Sequence, residues 1–194
     1  MASLDLTTLP NVKGWLNISN TNNDALLSRL ISSASQFAES WCSRQFNVAT
    51  YTENRNGLGG TVMMLLNQPI TAVTSVTING IMIPPQPPFS ATFTSTGGVP
   101  GGYVFDDKRI MLYGWSFCRG FQNVQIVYTA GFATAPYDLE QAVIDIVGEW
   151  FKYRDRIGKV SEGIEGQAIM FTQAQVPPRA LAVLQTYRQV TPIY

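Results

Sequence analysis

The sequence contains no histidine among its 194 residues. Histidine is the usual general base near neutral pH and the commonest metal ligand, so its absence excludes Ser-His-Asp and Cys-His catalytic arrangements. Neither a GxSxG nor a GxxxxGK[ST] motif occurs. The glycine-rich stretches 57–60 and 98–102 do not lead from a predicted strand into a helix, which favours turns over phosphate binding. We therefore expect no catalytic residue, no cofactor and no enzymatic activity.

Cysteines and long apolar runs are also scarce. Cys42 and Cys118 lie far apart, with no CxxC or Cys/His cluster, so we expect no metal site and a buried thiol for Cys42. The longest apolar runs, such as 62–66, are far too short to cross a bilayer. The first residues lack a basic segment followed by an apolar core. We expect a soluble protein made in a cytoplasm, without a membrane partner.

Charge is the third deficit, because charged residues form only 13% of the chain against the usual share of about 25%. Thirteen basic and thirteen acidic residues cancel, leaving no basic excess to bind nucleic acid tightly. The basic run 152–159 could follow a DNA backbone, but at a helix C-terminus it also complements the helix dipole. A weakly charged surface suits a subunit that contacts other copies; a polar surface without a partner is the alternative.

The clearest helix follows the turn that ends at Pro136 and runs to Arg156, about 19 residues. Its apolar residues recur at spacings of three and four and share one face. The predicted core positions on this face are Leu139, Val143, Ile146 and Trp150. Its start has two interpretations. Either Pro136 is the first helical residue and Asp138 lies in the first turn, or Asp138 is the N-cap and Gln141 completes a capping box.

A second amphipathic helix begins at Asn23 or Asp24 and ends near Cys42. Its predicted core positions include Leu30, Phe37 and Trp41. We expect the two apolar faces to pack against each other, each fully buried large side chain contributing roughly 1.5–3 kcal/mol. Trp41 and Trp150 could instead bind a ligand, but aromatic residues at helical spacing are more often core.

Between 46 and 131 the pattern changes to short β-type runs separated by glycine, proline and asparagine. The predicted strands are 49–53, 61–66, 73–78, 103–105, 110–113 and 124–128. Asn56-Gly57 together with Gly59-Gly60 predicts a hairpin turn, and Asn79-Gly80 predicts another tight turn. The sequence thus predicts one α+β domain: a small helical bundle (1–46 and 133–194), an inserted antiparallel β subdomain (about 47–132) and a C-terminal helix plus tail.

Five segments in this order resemble the head–tail connector family of long-tailed double-stranded DNA bacteriophages, the adaptor and head-completion proteins that attach beneath the portal. The segments are 4–7 with 12–16, 24–31, 73–80, 127–132, and 136–142 with 154–158. Together they cover nearly the full chain. The sequence departs from a minimal family member in its longer, Pro/Gly-rich segment 83–102.

This resemblance implies a ring of copies, typically a dodecamer, docked on the portal in the neck between head and tail. Such a ring is assembled in the host cytoplasm and extends the channel through which genomic DNA passes without sequence-specific binding. The end opposite the portal meets a head-closure or tail-completion protein. The net charge of zero agrees with a conduit along which DNA slides.

The resemblance also implies two sets of contact residues. The C-terminal helix and tail commonly reach the portal, which makes the portal candidates Arg179, Tyr187, Arg188, Val190, Pro192, Ile193 and Tyr194. The stretch 161–172 is either an ordered hairpin or an arm that becomes ordered on another subunit. The candidates on this stretch for contact with a neighbouring subunit or the channel lumen are Glu162, Ile164, Glu165, Ile169 and Phe171. Trp115 and Phe117 are added to them from the sequence itself, because both lie in one aromatic loop of a β subdomain that carries few charges.

Two other function classes remain open at this stage. One is a β-rich carbohydrate- or surface-binding virion module in which Tyr113, Trp115 and Phe117 form a stacking platform. The other is a hydrolase that uses a carboxylate pair such as Glu162 and Glu165. Nothing in the sequence places such a pair in a cleft, so the hydrolase is the weaker alternative.

Overall fold

The computed structural model describes residues 5–86, 101–154, 161–164, 167–170 and 176–189. In chain order its elements are α1 (Leu9–Leu16), α2 (Asp24–Cys42), β1 (Ala49–Gly57), β2 (Val62–Met64), β3 (Ile70–Ile78), β4 (Ile81–Ile83), β5 (Gly102–Phe105), β6 (Arg109–Tyr113), β7 (Gly120–Ala130), α3 (Tyr137–Tyr153), β8 (Ser161–Ile164), β9 (Gln167–Met170) and α4 (Pro178–Tyr187). The predicted α+β class is confirmed. The chain divides into a helical unit, Met1–Phe46 with Thr134–Tyr194, and a β unit, Asn47–Ala133.

Neither interpretation of the start of helix α3 is fully correct, although Asp138 lies in the first turn as the first interpretation predicts. Pro136 is the N-cap and the helix begins at Tyr137, with no hydrogen bond from a capping side chain. The capping box centred on Asp138 is therefore wrong. Asp138 and Glu140 both lie in the first turn, where their negative charges face the positive end of the helix dipole.

The centre of the helical core consists of small and aliphatic side chains. Its fully buried members on α2 and α3 are Leu27, Ala34, Ala38, Cys42, Leu139, Val143, Ile146 and Val147. The predicted core positions Leu30, Phe37 and Trp150 are only half-buried. The core assignment of Trp41 is wrong, because 39% of this residue is exposed.

Helical periodicity explains why these aromatic positions are not central. At about 100° per residue, Leu30, Phe37 and Trp41 point roughly 60–100° away from Ala38, at the flank of the buried stripe. The Phe37 ring stacks on Trp41 with centroids 6.0 Å apart and meets the Trp150 ring edge-on at 6.1 Å. The three rings therefore form an aromatic cluster at the margin of the core.

Polar contacts fasten α1 and the segment before it to the other helices. The Glu140 carboxylate accepts hydrogen bonds from Thr7 Oγ1 at 3.0 Å and from Asn11 Nδ2 at 2.7 Å. Lys13 forms an ion pair with Asp24 at 2.7 Å. Since these ties join the start of the chain to α2 and α3, the helical unit closes across a long stretch of sequence.

The β unit consists of two antiparallel sheets around one core. The first has the order β1-β7-β3-β4 and the second has the order β2-β6-β5. Both sheets contribute to the same buried cluster, whose members include Ile78, Ile83, Tyr103, Ile110, Leu112, Phe117, Ile126 and Tyr128. Each predicted strand region contains a strand, and β4 is an addition that the sequence reading did not identify.

The two Asn-Gly pairs have different roles. Asn79 and Gly80 adopt positive φ values of 52° and 80° and connect β3 to β4, which confirms the predicted tight turn. The hairpin predicted around Asn56-Gly57 is wrong, since β1 continues through Gly57 and β2 belongs to the other sheet. A Cβ at Gly57 would lie 1.8 Å from the carbonyl oxygen of Cys118, so glycine is needed there for close packing.

One carboxylate is buried in the β unit. Glu53 on β1 accepts hydrogen bonds from the Tyr128 hydroxyl and, at 3.0 Å, from the Leu66 amide. Arg55 lies 3.2 Å from its other oxygen. Asn67 donates two further bonds to the Tyr128 hydroxyl, at 3.1 and 3.2 Å. This network holds the segment between β2 and β3 against the first sheet.

Strands β8 and β9 form an antiparallel hairpin whose register pairs Ser161 with Met170 and Ile164 with Gln167. Of the two alternatives for this stretch, the backbone therefore takes the hairpin. Glu162, Ile164 and Ile169 lie on it, whereas Glu165 and Phe171 lie outside the described residues. Most of the proline- and glycine-rich segment, 87–100, also lies outside the described residues.

Candidate assembly surfaces

The described residues offer little reactive chemistry. Among them, no group of three or more His, Cys, Asp or Glu side chains is placed to hold a metal ion. No helix within the described ranges is long and apolar enough to cross a membrane. Cys42 is a buried free thiol, as predicted, and burial raises its pKa to about 11. The features that call for a functional account are apolar side chains on the surface.

The first of these features in the β unit is the outer face of the second sheet. Strand register places Val62, Met111 and Val104 side by side across β2, β6 and β5. Met64 and Tyr113 occupy the same face two residues away, because side chains alternate along a strand. We call these five side chains the outer face. All except the half-buried Met111 are exposed, while Ile110 and Leu112 point to the core.

A second apolar feature lies between the β3–β4 hairpin and the loop after β6. This groove has a volume of about 420 Å³ and is lined in part by Ile78, Ile81, Ile83 and Trp115. The Trp115 indole packs against Gly101, where an added Cβ would meet its Nε1 at 2.9 Å. Trp115 nevertheless remains 40% exposed, and its contact with a neighbouring subunit stays a prediction.

Phe117 does not have the predicted role of a surface contact. Only 1% of the residue is exposed, and it belongs to the core shared by the two sheets. Its amide donates a 2.8 Å hydrogen bond to the Gly60 carbonyl, which directs the ring inward. The proposed stacking platform of Tyr113, Trp115 and Phe117 therefore lacks its third member.

In the helical unit, a groove of about 510 Å³ runs between α1 and α3. Two large aromatic residues line it: Trp15 is 57% exposed and Tyr137 is 86% exposed. Pro10 and Ile144 add apolar surface, and Glu140 lies on its polar side. The sequence reading did not identify this surface, although Trp15 and Tyr137 both stand outside the predicted core stripes.

The C-terminal end of α4 is fastened to the rest of the helical unit. The Tyr187 hydroxyl donates to both oxygens of Asp138, at 2.8 and 2.9 Å, and its ring meets Phe46 edge-on at 5.9 Å. Burial and then the Asp138 contact raise the pKa of Tyr187 to about 12. The Gln189 amide donates to the Cys42 carbonyl at 2.9 Å. Gln189 is therefore held beside the end of α2.

The predicted portal residues thus fall into three groups. Arg179 and Arg188 are exposed on and just after α4. Tyr187 is half-buried, and its hydroxyl is already engaged inside the helical unit. The other candidates lie outside the described residues: they are Val190, Pro192, Ile193 and Tyr194.

Comparison with known proteins identifies the family. The family model described as HCP, head completion protein, matches residues 5–190. The chain belongs to the head completion protein family. The predicted resemblance is therefore confirmed, and the family is one of structural proteins of the head–tail neck, which is not an enzyme class. None of the curated proteins matches the chain.

Two solved structures share the fold. A chain from the neck of an empty gene transfer agent particle, computed with C6 symmetry, has a TM-score of 0.54 at 17% identity. A chain from the virion of a native gene transfer agent particle has a TM-score of 0.54 at 19% identity. Each alignment covers 95% of this chain and 90% of the other. The described elements of this head completion protein therefore follow a fold found in phage-like particles.

Proposed function

We propose that this chain is a head–tail adaptor that forms a ring beneath the portal, extends the DNA channel and attaches head-closure or tail-completion proteins. The observation that carries the proposal is the family match over residues 5–190. A similar fold in a neck computed with C6 symmetry favours a ring, and a dodecamer is compatible with that symmetry. The site of action is the virion neck.

The charge of the chain fits passage of DNA without retention. With a formal net charge of zero, the chain lacks the basic excess that tight binding to phosphates requires. The outer face and the two grooves supply apolar surface that neighbouring proteins can cover. A non-enzymatic conduit with several contact surfaces accounts for both observations.

The segment that we assign to the portal is the end of α4 and the residues after Gln189. Its support is the anchoring of Tyr187 and Gln189, which fixes the last described residues of the chain to the helical unit. Because Tyr187 and Gln189 are already held in place, this end of the segment loses less conformational entropy when it binds a partner. Arg188, exposed at this point, is available for a charged contact at its base.

The test is a pull-down of the chain by the portal protein of its own virus. Deleting 190–194 keeps the Tyr187 and Gln189 anchors, and should leave circular dichroism unchanged while abolishing portal binding. An Arg29→Ala variant, altered at an exposed position on α2, serves as the control for a surface change elsewhere in the helical unit. Normal binding by the truncated chain would contradict the portal assignment. Failure of the full chain to bind would contradict the adaptor function itself.

The carbohydrate-binding alternative is not proposed. It depended on three aromatic side chains presented together, and Phe117 is buried in the β core.

A further inference from the structure

The outer face breaks the alternation expected of a sheet with one side in water. Antiparallel sheets of this kind place apolar residues toward the core and polar residues outward. Here both sides of β6 are apolar: Ile110 and Leu112 face the core, while Met111 and Tyr113 face outward. The neighbouring strands repeat the pattern, with Val62 and Met64 on β2 and Val104 on β5. The apolar side chains thus form a contiguous surface, and contiguous exposed apolar surface marks an interaction site.

The charges beside the outer face indicate which class of partner can bind it. On this side of the sheet Arg109 is the cation aligned with the outer face, and its Nε lies 2.7 Å from the Asp106 carboxylate. DNA binding depends on cations that neutralise phosphates, so an apolar surface with its neighbouring cation already paired does not fit a polyanion. A charged protein surface would lose hydration there without gaining a partner. The occupant must itself be apolar and nearly uncharged at the contact.

A second copy of this chain meets that requirement. Residues 61–135 contain five charged residues, so the β unit of another copy offers apolar and polar uncharged surface. The groove lined by Ile81 and Trp115 is one such surface, and it differs in composition from the outer face. Two different apolar surfaces on one subunit are what a head-to-tail ring requires, because each contact joins unlike patches.

We propose that the outer face is the docking surface for the adjacent copy of this chain in the ring. This inference rests on the proposed adaptor function and specifies which surface of the chain closes the ring. Tyr113 supplies the aromatic anchor, and Val62, Met64, Val104 and Met111 supply the aliphatic contact around it. Interfaces of this type place a buried apolar centre inside a polar rim, and Arg109 paired with Asp106 lies at the rim.

The test is site-specific photo-crosslinking at two methionines. A photoreactive phenylalanine analogue replaces Met64, on the outer face, or Met82, on β4 of the other sheet. The residues are matched in type, both lie on three-residue strands, and both are exposed, 44% for Met64 and 69% for Met82. Each variant is irradiated alone and in complex with the portal, as a mixture of unlabelled and ¹⁵N-labelled chains.

The expected result is mixed-isotope dimers from position 64, with a yield at least about tenfold above position 82, because a close-packed interface holds the probe against its neighbour. Crosslinks confined to one chain, for example between position 64 and residues 87–100, would overturn the inference by showing that the chain covers its own face. Equal yields from the two positions would also overturn it.

Assembly of charged variants separates this inference from the adaptor function. Met64→Glu should prevent ring formation on the portal, because a carboxylate buried in the contact loses its hydration. Met82→Glu should assemble like the unaltered chain, because position 82 stays in water. If rings form equally with Met64→Glu, the inference fails and the adaptor function stands. If the unaltered chain forms no ring on the portal, the adaptor function fails. The crosslinking experiment without portal then tests whether the outer face contacts a second copy.

Discussion

The two units of the chain differ in where they place their polar and apolar groups. In the helical unit, polar side chains on the surface tie distant segments together, as when Glu140 binds Thr7 and Asn11 or Asp138 binds Tyr187. In the β unit, the main polar tie is buried at Glu53 and apolar side chains cover an outer sheet face. The helical unit uses its surface to hold itself together, whereas the β unit leaves surface for a neighbour.

The largest effect that we expect is from removal of the buried carboxylate. Glu53→Ala removes the carboxylate that accepts hydrogen bonds from the Tyr128 hydroxyl and the Leu66 amide and that forms an ion pair with Arg55. Breaking a buried ion pair in this way costs roughly 3–5 kcal/mol. Urea unfolding should show this loss, while Asn54→Ala, which alters an exposed hydrogen bond with Gln125, should cost less than about 1 kcal/mol. Equal losses would mean that the Glu53 network does not hold the β unit.

The next effect compares the centre of the helical core with its margin. Ile146→Ala removes a fully buried side chain and should lower the free energy of unfolding by roughly 2–5 kcal/mol. Trp41→Ala removes a larger side chain at the margin of the core and should cost less than Ile146→Ala. Chemical denaturation of both variants measures the difference. A larger loss of unfolding free energy for Trp41→Ala than for Ile146→Ala would mean that Trp41 belongs to the helical core, as the sequence predicted.

A smaller effect concerns the anchor of α4. Tyr187→Phe removes the hydrogen bond to Asp138 and should cost about 1 kcal/mol, because the pair is partly solvated. The pKa of Tyr187 is raised from 10.0 to about 12. The protonated Tyr187 phenol therefore stabilises the folded chain fully below pH 10. This stabilisation is lost as the pH rises from 10 to about 12, because the phenol ionises at a lower pH in the unfolded chain than in the folded chain.

Thermal unfolding between pH 9 and pH 12 checks this prediction. The unaltered chain should lose stability more steeply across that window than Tyr187→Phe. If the melting temperatures of the two proteins fall in parallel with pH, the protonated Tyr187 phenol does not stabilise the fold.

The smallest effect on folding should come from the outer face. In the isolated subunit, Met64→Glu places a carboxylate on an exposed strand. Surface substitutions of this kind usually change the free energy of unfolding by no more than about 0.5 kcal/mol. Thermal denaturation should therefore show a melting temperature near that of the unaltered chain, even though assembly is lost. A strongly destabilised Met64→Glu chain would mean that the face already packs within its own subunit.

The sequence predicted much of the fold because helical and strand periodicities are local signals. The spacing of Leu139, Val143 and Ile146 indicated a helix, and the Asn79-Gly80 pair indicated a tight turn. The flank position of Trp41 was missed because spacings of three and four residues define a wide apolar stripe and do not distinguish its centre from its edge.

The candidate surfaces were harder to predict because they depend on long-range pairing. The outer face exists only through the register that sets Val62 beside Met111 and Val104, and register is not visible within any one strand. The run Arg109-Ile-Met-Leu-Tyr113 did carry a signal, since its apolar residues do not alternate with polar ones. Phe117 was misassigned because a short aromatic loop gives no indication of which ring turns inward.

The most direct test of the adaptor account is cryo-electron microscopy of the chain mixed with its own portal. The account predicts a closed ring of several copies, coaxial with the portal channel, with the outer face of each copy covered by the next. Single copies bound to the side of the portal, or a chain that stays free in the mixture, would contradict it.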